Sequence, residues 1–170
     1  MLKYIFFFIF TIFNAAYSQC NFVTGGYIEE LSNPSHIELI EINTPKSSKY
    51  YKNAFEIMTS EAKNIAPDLR KEFVANITVN YEFGSCNYTG RVRQSGDWKD
   101  HITLINGQII RSLDVKLNEG NIINAVNFKL LIPETRNSHN EILASLILKR
   151  LDFISPETFE VKTSINGVKA

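Results

Sequence analysis

Charge of one sign is what this sequence lacks most plainly: 18 lysines and arginines are matched by 18 aspartates and glutamates. Nucleic acid recognition depends on a surplus of cations to neutralise phosphates, so nucleic acid drops out as a partner. The motifs that name a reaction are missing as well. There is no G-x-S-x-G elbow, no H-E-x-x-H zinc helix, no Walker loop and no dinucleotide fingerprint. Nor is there an internal repeat, a low-complexity tract or a charge block to mark a linker, so the chain reads as one continuous domain. Past the first 18 residues, no stretch is apolar enough over the roughly 20 residues a bilayer span requires.

What is present begins at the N-terminus. Lys3 supplies a short positive region, the uncharged run from Tyr4 to Phe13 follows, and Ala16-Tyr17-Ser18 places small residues where a signal peptidase reads. Residues 1–18 are therefore expected to be a cleaved signal peptide, with the mature chain starting at Gln19. The run is too short for an anchor, and Gln19 is a poor lipobox residue to precede Cys20. Taking 18 from 170 residues leaves 152, about one domain. The expected setting is secreted or extracytoplasmic. There the two cysteines, Cys20 and Cys86, would form a disulfide tying the mature N-terminus to the middle of the domain; two unpaired buried thiols are the alternative. In a eukaryotic secretory route, Asn76-Ile77-Thr78 and Asn87-Tyr88-Thr89 would be glycan acceptors.

Periodicity places the elements. His36 to Ile42 reads as a strand in which Ile40 breaks the alternation set by Ile37 and Leu39. Ser47 and Ser48 open a helix running to about Asn64, with Tyr51, Ala54, Phe55 and Met58 on one face. Phe73 to Phe83 is the clearest strand, joined through Gly84-Ser85-Cys86-Asn87 to a second strand reaching Arg93. Ile109 to Leu117 and Asn127 to Ile132 are further strands. Ser138 and Glu141 fit a capping box for a helix over 139–151 that would bury Ile142, Leu146 and Ile147. A last strand, Phe159 to Ile165, enters the hairpin signal Asn166-Gly167 with only Val168, Lys169 and Ala170 after it. That abrupt ending reads as a fragment of a longer protein. The expected class is α+β, a mainly antiparallel sheet with two principal helices.

Chemistry is sparser. Asp97, Asp100 and His101 lie within five residues and could converge on a metal ion. The simpler reading is a turn in which Asp97 caps backbone amides and Trp98 plugs the core. His36 and His139 stand alone as surface residues.

Five segments nonetheless occur in an order that resembles a known family. They are Arg91–His101, Ser112–Leu117, Phe128–Asn137, Asn140-Glu141 with its helix, and Ile165-Asn166-Gly167. Together they look like the N-terminal part of the CotH-like family of spore-coat kinase-like proteins, over about residues 72–170, with residues 19–71 as an extension. The resemblance implies an atypical kinase N-lobe whose parent uses ATP and Mg²⁺ to phosphorylate secreted or envelope proteins. By that likeness the Gly96 turn would cover the phosphates and Lys116 or Arg111 would contact them. Glu141 would orient that cation, as in the lysine–glutamate pair of ordinary kinases, although a capping role fits Glu141 equally. Strand parity makes the cations alternatives, Arg111 sharing the face of Leu113 and Val115 and Lys116 facing the other way. The larger lobe with its metal-binding carboxylates is missing, so catalysis by this chain alone is not expected. A non-catalytic extracellular binding or envelope-assembly module is the other reading.

Overall fold

The computed structural model describes residues 19–22, 24–137 and 139–169; the expected signal peptide lies outside the described residues. Along the chain come β1 (Gln19–Cys20), α1 (Ile28–Leu31), β2 (Ile37–Asn43), α2 (Ser47–Thr59), β3 (Phe73–Tyr81), β4 (Gly84–Gln94), β5 (Ile102–Ile105), β6 (Gln108–Arg111), β7 (Leu113–Leu117), β8 (Asn127–Leu130), α3 (Asn140–Arg150), β9 (Thr163–Ile165) and β10 (Val168–Lys169). The fold is α+β. One curled sheet has the order β10-β9-β2-β3-β4-β7-β8, and β5 and β6 form a separate hairpin. Pairing is antiparallel except between β2 and β9, which run parallel. No described helix is long and apolar enough to cross a membrane.

Alternation makes the sheet two-faced. On β3, Ala75, Ile77, Val79 and Tyr81 are buried, and on β4 Cys86, Tyr88 and Val92 join them. Their neighbours Asn76, Asn87, Arg91 and Arg93 are exposed. Each fully buried aliphatic side chain contributes roughly 1.5–3 kcal/mol, so the inner face carries the stability and the outer face is left to polar chemistry. Gly90 marks where strands meet most tightly: a Cβ there would lie 2.5 Å from the Lys116 carbonyl of β7.

The Cys20–Cys86 disulfide is formed, with an S–S distance of 2.03 Å. It joins residues already opposite one another in the β1–β4 register. β1 and β7 share one edge of β4, taking Cys86 and Asn87 and then Gly90 to Gln94 respectively.

Several elements depart from expectation for identifiable reasons. A bulge between Ile37 and Leu39 shifts the phase of β2, so Ile40 and Ile42 turn inward and the broken alternation is accounted for. Helix α2 stops at Thr59 and buries Tyr50, Asn53, Ala54 and Ile57, while Phe55 stays exposed. Both faces had apolar residues at helical spacing; the choice follows Asn53, whose amide donates to the Leu69 carbonyl at 2.8 Å. The β3–β4 turn is Glu82-Phe83, and Ser85 to Asn87 belong to β4. The strand expected over 109–117 breaks at Ser112, its first half folding back on β5.

The largest correction concerns α3. Ile142 is only half-buried, Leu146 and Ile147 are 54% and 49% exposed, and the residue the helix buries is Ser145. Its Oγ donates to the Glu141 carbonyl at 2.9 Å and lies 3.1 Å from the Thr158 hydroxyl. Leucines and isoleucines lie on every side of this helix, so no single face wins. His139 takes the N-cap position and makes no side-chain capping bond; the expected capping box rests on Ser138, which lies outside the described residues. The final strand is shorter than expected, at three residues, but the Asn166-Gly167 turn does form. It returns through β10, with Val168 opposite Ile165, and the Asn166 side-chain oxygen accepts from the Thr44 backbone amide at 2.7 Å.

Closing a loop of 66 residues' separation stabilises by about 4 kcal/mol on the chain-entropy estimate. Reduction should therefore lower the urea midpoint by that equivalent, and Cys20 and Cys86 should resist alkylation until reductant is added. Burial also pushes the phenols of Tyr50, Tyr81 and Tyr88 above their ordinary range. A raised folded pKa means stability is fully present below the unfolded value near 10 and is lost as pH rises above it. Denaturant midpoints should be flat from pH 8 to 10 as far as tyrosine is concerned and fall steeply beyond. Replacing Tyr81 and Tyr88 with Phe should flatten that fall.

Candidate functional site

The residues expected around a nucleotide go to different places. Gly96 has φ +78°, and a Cβ there would overlap the His101 ring, so the turn is closed against a buried imidazole. Glu141 pairs with Arg136 at 3.5 Å, and neither Arg111 nor Lys116 makes an ion pair with it among the described residues. Lys116 is exposed on β7, and Arg111 is 2% exposed beneath α2. Parity along one strand does not relate them, because the break at Ser112 puts Arg111 on β6 and Lys116 on β7.

The possible metal cluster also separates. Asp97 pairs with Arg70 at 2.8 Å, His101 lies with its Nδ1 3.2 Å from the Ser112 hydroxyl, and Asp100 is exposed. No group of three ligating side chains forms among the described residues. A turn it is, yet Trp98 does not plug the core; it is 58% exposed. The region is held by Gln94, whose buried amide donates at 2.9 Å to the carbonyls of both Ser95 and His101.

Arg111 is the most unusual side chain of the interior. Its guanidinium carbon sits 3.8 Å from the Tyr50 ring centre and 5.6 Å from that of Phe73. Nη1 donates to the Asn53 side-chain oxygen at 3.2 Å, while Nε and Nη2 have no hydrogen-bond partner among the described residues. Desolvation pushes Arg111 below its ordinary range, opposed by Tyr50. This is a cation held by an aromatic face and an oriented amide, locking β6 to α2.

The outer face presents a second constellation. A shallow groove of about 420 Å³ runs over β4, β7 and β8, lined by Glu72, Arg91, Arg93, Asp114, Lys116 and Lys129 among others. Arg91 pairs with Glu72 at 3.2 Å. Asp114 is shared, 3.2 Å from Arg93 and 3.7 Å from Lys129, and accepts from the Ser95 hydroxyl at 2.7 Å. Lys116 has no ion-pair partner among the described residues. Asn76 and Asn87 of the sequons face the same way on adjacent strands, and the Asn87 side-chain oxygen accepts from Thr78 at 2.8 Å.

No family model matches this chain, and neither a curated protein nor a solved structure does. The site residues therefore stand on geometry alone. Lys116 was singled out from the sequence for another role. Arg91, Arg93, Asp114 and Lys129 sit at alternate positions of their strands, a signal that becomes a site only once the register is known.

Removing one partner of a buried charge leaves it uncompensated and costs about 3 kcal/mol or more. Tyr50→Leu should destabilise by that amount. Arg111→Met should be within about 1 kcal/mol of wild type, and the double variant should recover most of the Tyr50→Leu loss in urea melts.

Proposed function

We propose that this chain is an exported binding module that makes contact through the outer face of its sheet and does not itself handle a nucleotide. The observation that supports this reading is that Arg111, Glu141 and the Gly96 turn, three of the groups expected around a phosphate, lie apart. Arg111 is committed to Tyr50 and Asn53, Glu141 to Arg136, and the Gly96 turn to His101. These three do not converge as arranged, and Lys116 lies apart from them, exposed on the outer face, so no step is routed through ATP. Export is supported by the N-terminal apolar run and by the disulfide, which belongs to an oxidising compartment. Cleavage before Gln19 would leave the bridge beside the new N-terminus, fastening it to β4.

The second reading keeps the CotH-like resemblance. In it this chain is a lobe of an exported kinase whose other parts supply the metal ligands and the base, with secreted or envelope proteins as substrates.

One experiment separates them. The natural exported protein should begin at or within a residue or two of Gln19, and with Mg²⁺ and radiolabelled ATP it should incorporate no phosphate. Incorporation that is lost in Lys116→Ala or Arg111→Ala, with secretion intact, would replace the module reading by the kinase one.

A further inference from the structure

Arg91 on β4 and Lys116 on β7 stand directly opposite one another in the antiparallel register, both exposed. Like charges so placed destabilise a strand pair. Glu72 neutralises Arg91, but nothing among the described residues neutralises Lys116. In the next row, Arg93 and Lys129 flank the single carboxylate of Asp114 from either side. Four cations against two carboxylates give the groove a charge of +2, in a chain whose total is +0. The rest of the chain, with 14 lysines and arginines against 16 aspartates and glutamates, sums to −2.

We propose that this groove is an oxyanion site for a sulfated or phosphorylated polysaccharide, with Lys116 as the contact that decides affinity. The inference rests on the binding-module reading above. A shallow groove open to solvent encloses too little of a small ligand, whereas sites for such ligands cover most of their surface. A polymer instead adds weak contacts along its length. Its two cationic rows lie about 7 Å apart along the strands, two residues on, which suits successive charged substituents of one chain. Single-stranded nucleic acid needs aromatic platforms for its bases, and Phe128, the aromatic residue of the lining, is packed against the core.

The test titrates the intact exported protein with a fluorescent heparin oligosaccharide, a phosphomannan, neutral dextran and single-stranded DNA. One or both anionic glycans should bind, with affinity falling as salt rises, and dextran should not. Preference between the first two assigns sulfate or phosphate. Lys116→Gln should weaken binding about tenfold, and Glu72→Gln, which frees Arg91, should tighten it. The ligand-free melting temperature of Lys116→Gln should match or exceed wild type, because the opposed charge is gone. Absence of glycan binding, wild-type affinity in Lys116→Gln, or equal binding to DNA would overturn the assignment. A negative glycan result without phosphate incorporation overturns the groove alone; phosphate incorporation overturns the module reading whatever the glycans do.

Discussion

The register of β3 against β4 decides which side chains of the neighbouring strands face inward. Nine cross-strand pairs run from Phe73–Val92 to Tyr81–Gly84, and every other one is apolar on the same side. A slip of β3 by one residue would send Ile77 and Val79 to water and Asn76 and Thr78 into the core. β2 adds to one edge of this hairpin, while β1 and β7 divide the other. The bridge at Cys86 reinforces the same register, because Cys20 already lies opposite Cys86. Once these two strands are aligned, the inner and outer faces of the whole sheet follow.

The inner face tolerates one violation of its own rule. A buried arginine with no carboxylate is costly to desolvate. Arg111 meets that cost with the face of Tyr50, with the Asn53 amide, and with its position at the end of β6, where the chain breaks at Ser112 before entering β7. The break is itself held in place: the Ser112 hydroxyl accepts from the Ile132 amide at 3.0 Å and sits beside His101. Arg111 thus belongs to the joint between the β5–β6 hairpin, α2 and the main sheet. A cation so occupied serves packing at this joint.

Much of this was legible in the residues. The strands from Phe73 to Arg93 alternate cleanly because one face is buried and the other wet, and Asn166-Gly167 announces its turn. The disulfide was one of two open readings of the cysteine pair, and the structure forms it. What could not be read were choices between two equally apolar faces. Helix α2 carries both the Tyr50–Ala54–Ile57 and the Tyr51–Phe55–Met58 rows, and only the tertiary partners of Asn53 select the first. In α3 the apolar residues surround the helix, so the polar contacts of Ser145 decide its seat. Trp98 misled for a related reason: a lone tryptophan implies a core, but its turn is fixed by Gln94 and Arg70 instead. The groove was invisible because its charges come from three strands separated by loops.

A sheet selected for stability alone would place a carboxylate opposite Arg91, as it does opposite Arg93 with Asp114. The two pairs lie on the same strands, two residues apart, with Asp114 half-buried against the Ser95 hydroxyl and Lys116 exposed. Position 114 follows the electrostatic rule for cross-strand neighbours and position 116 breaks it. Glu72 partly repairs the breach from outside the strand pair, leaving Lys116 as the uncompensated charge. Local rules of this kind are broken without structural gain chiefly where function demands it. The Arg91–Lys116 pair is the clearest such place on the outer face, and an anion bridging the two would convert its repulsion into attraction.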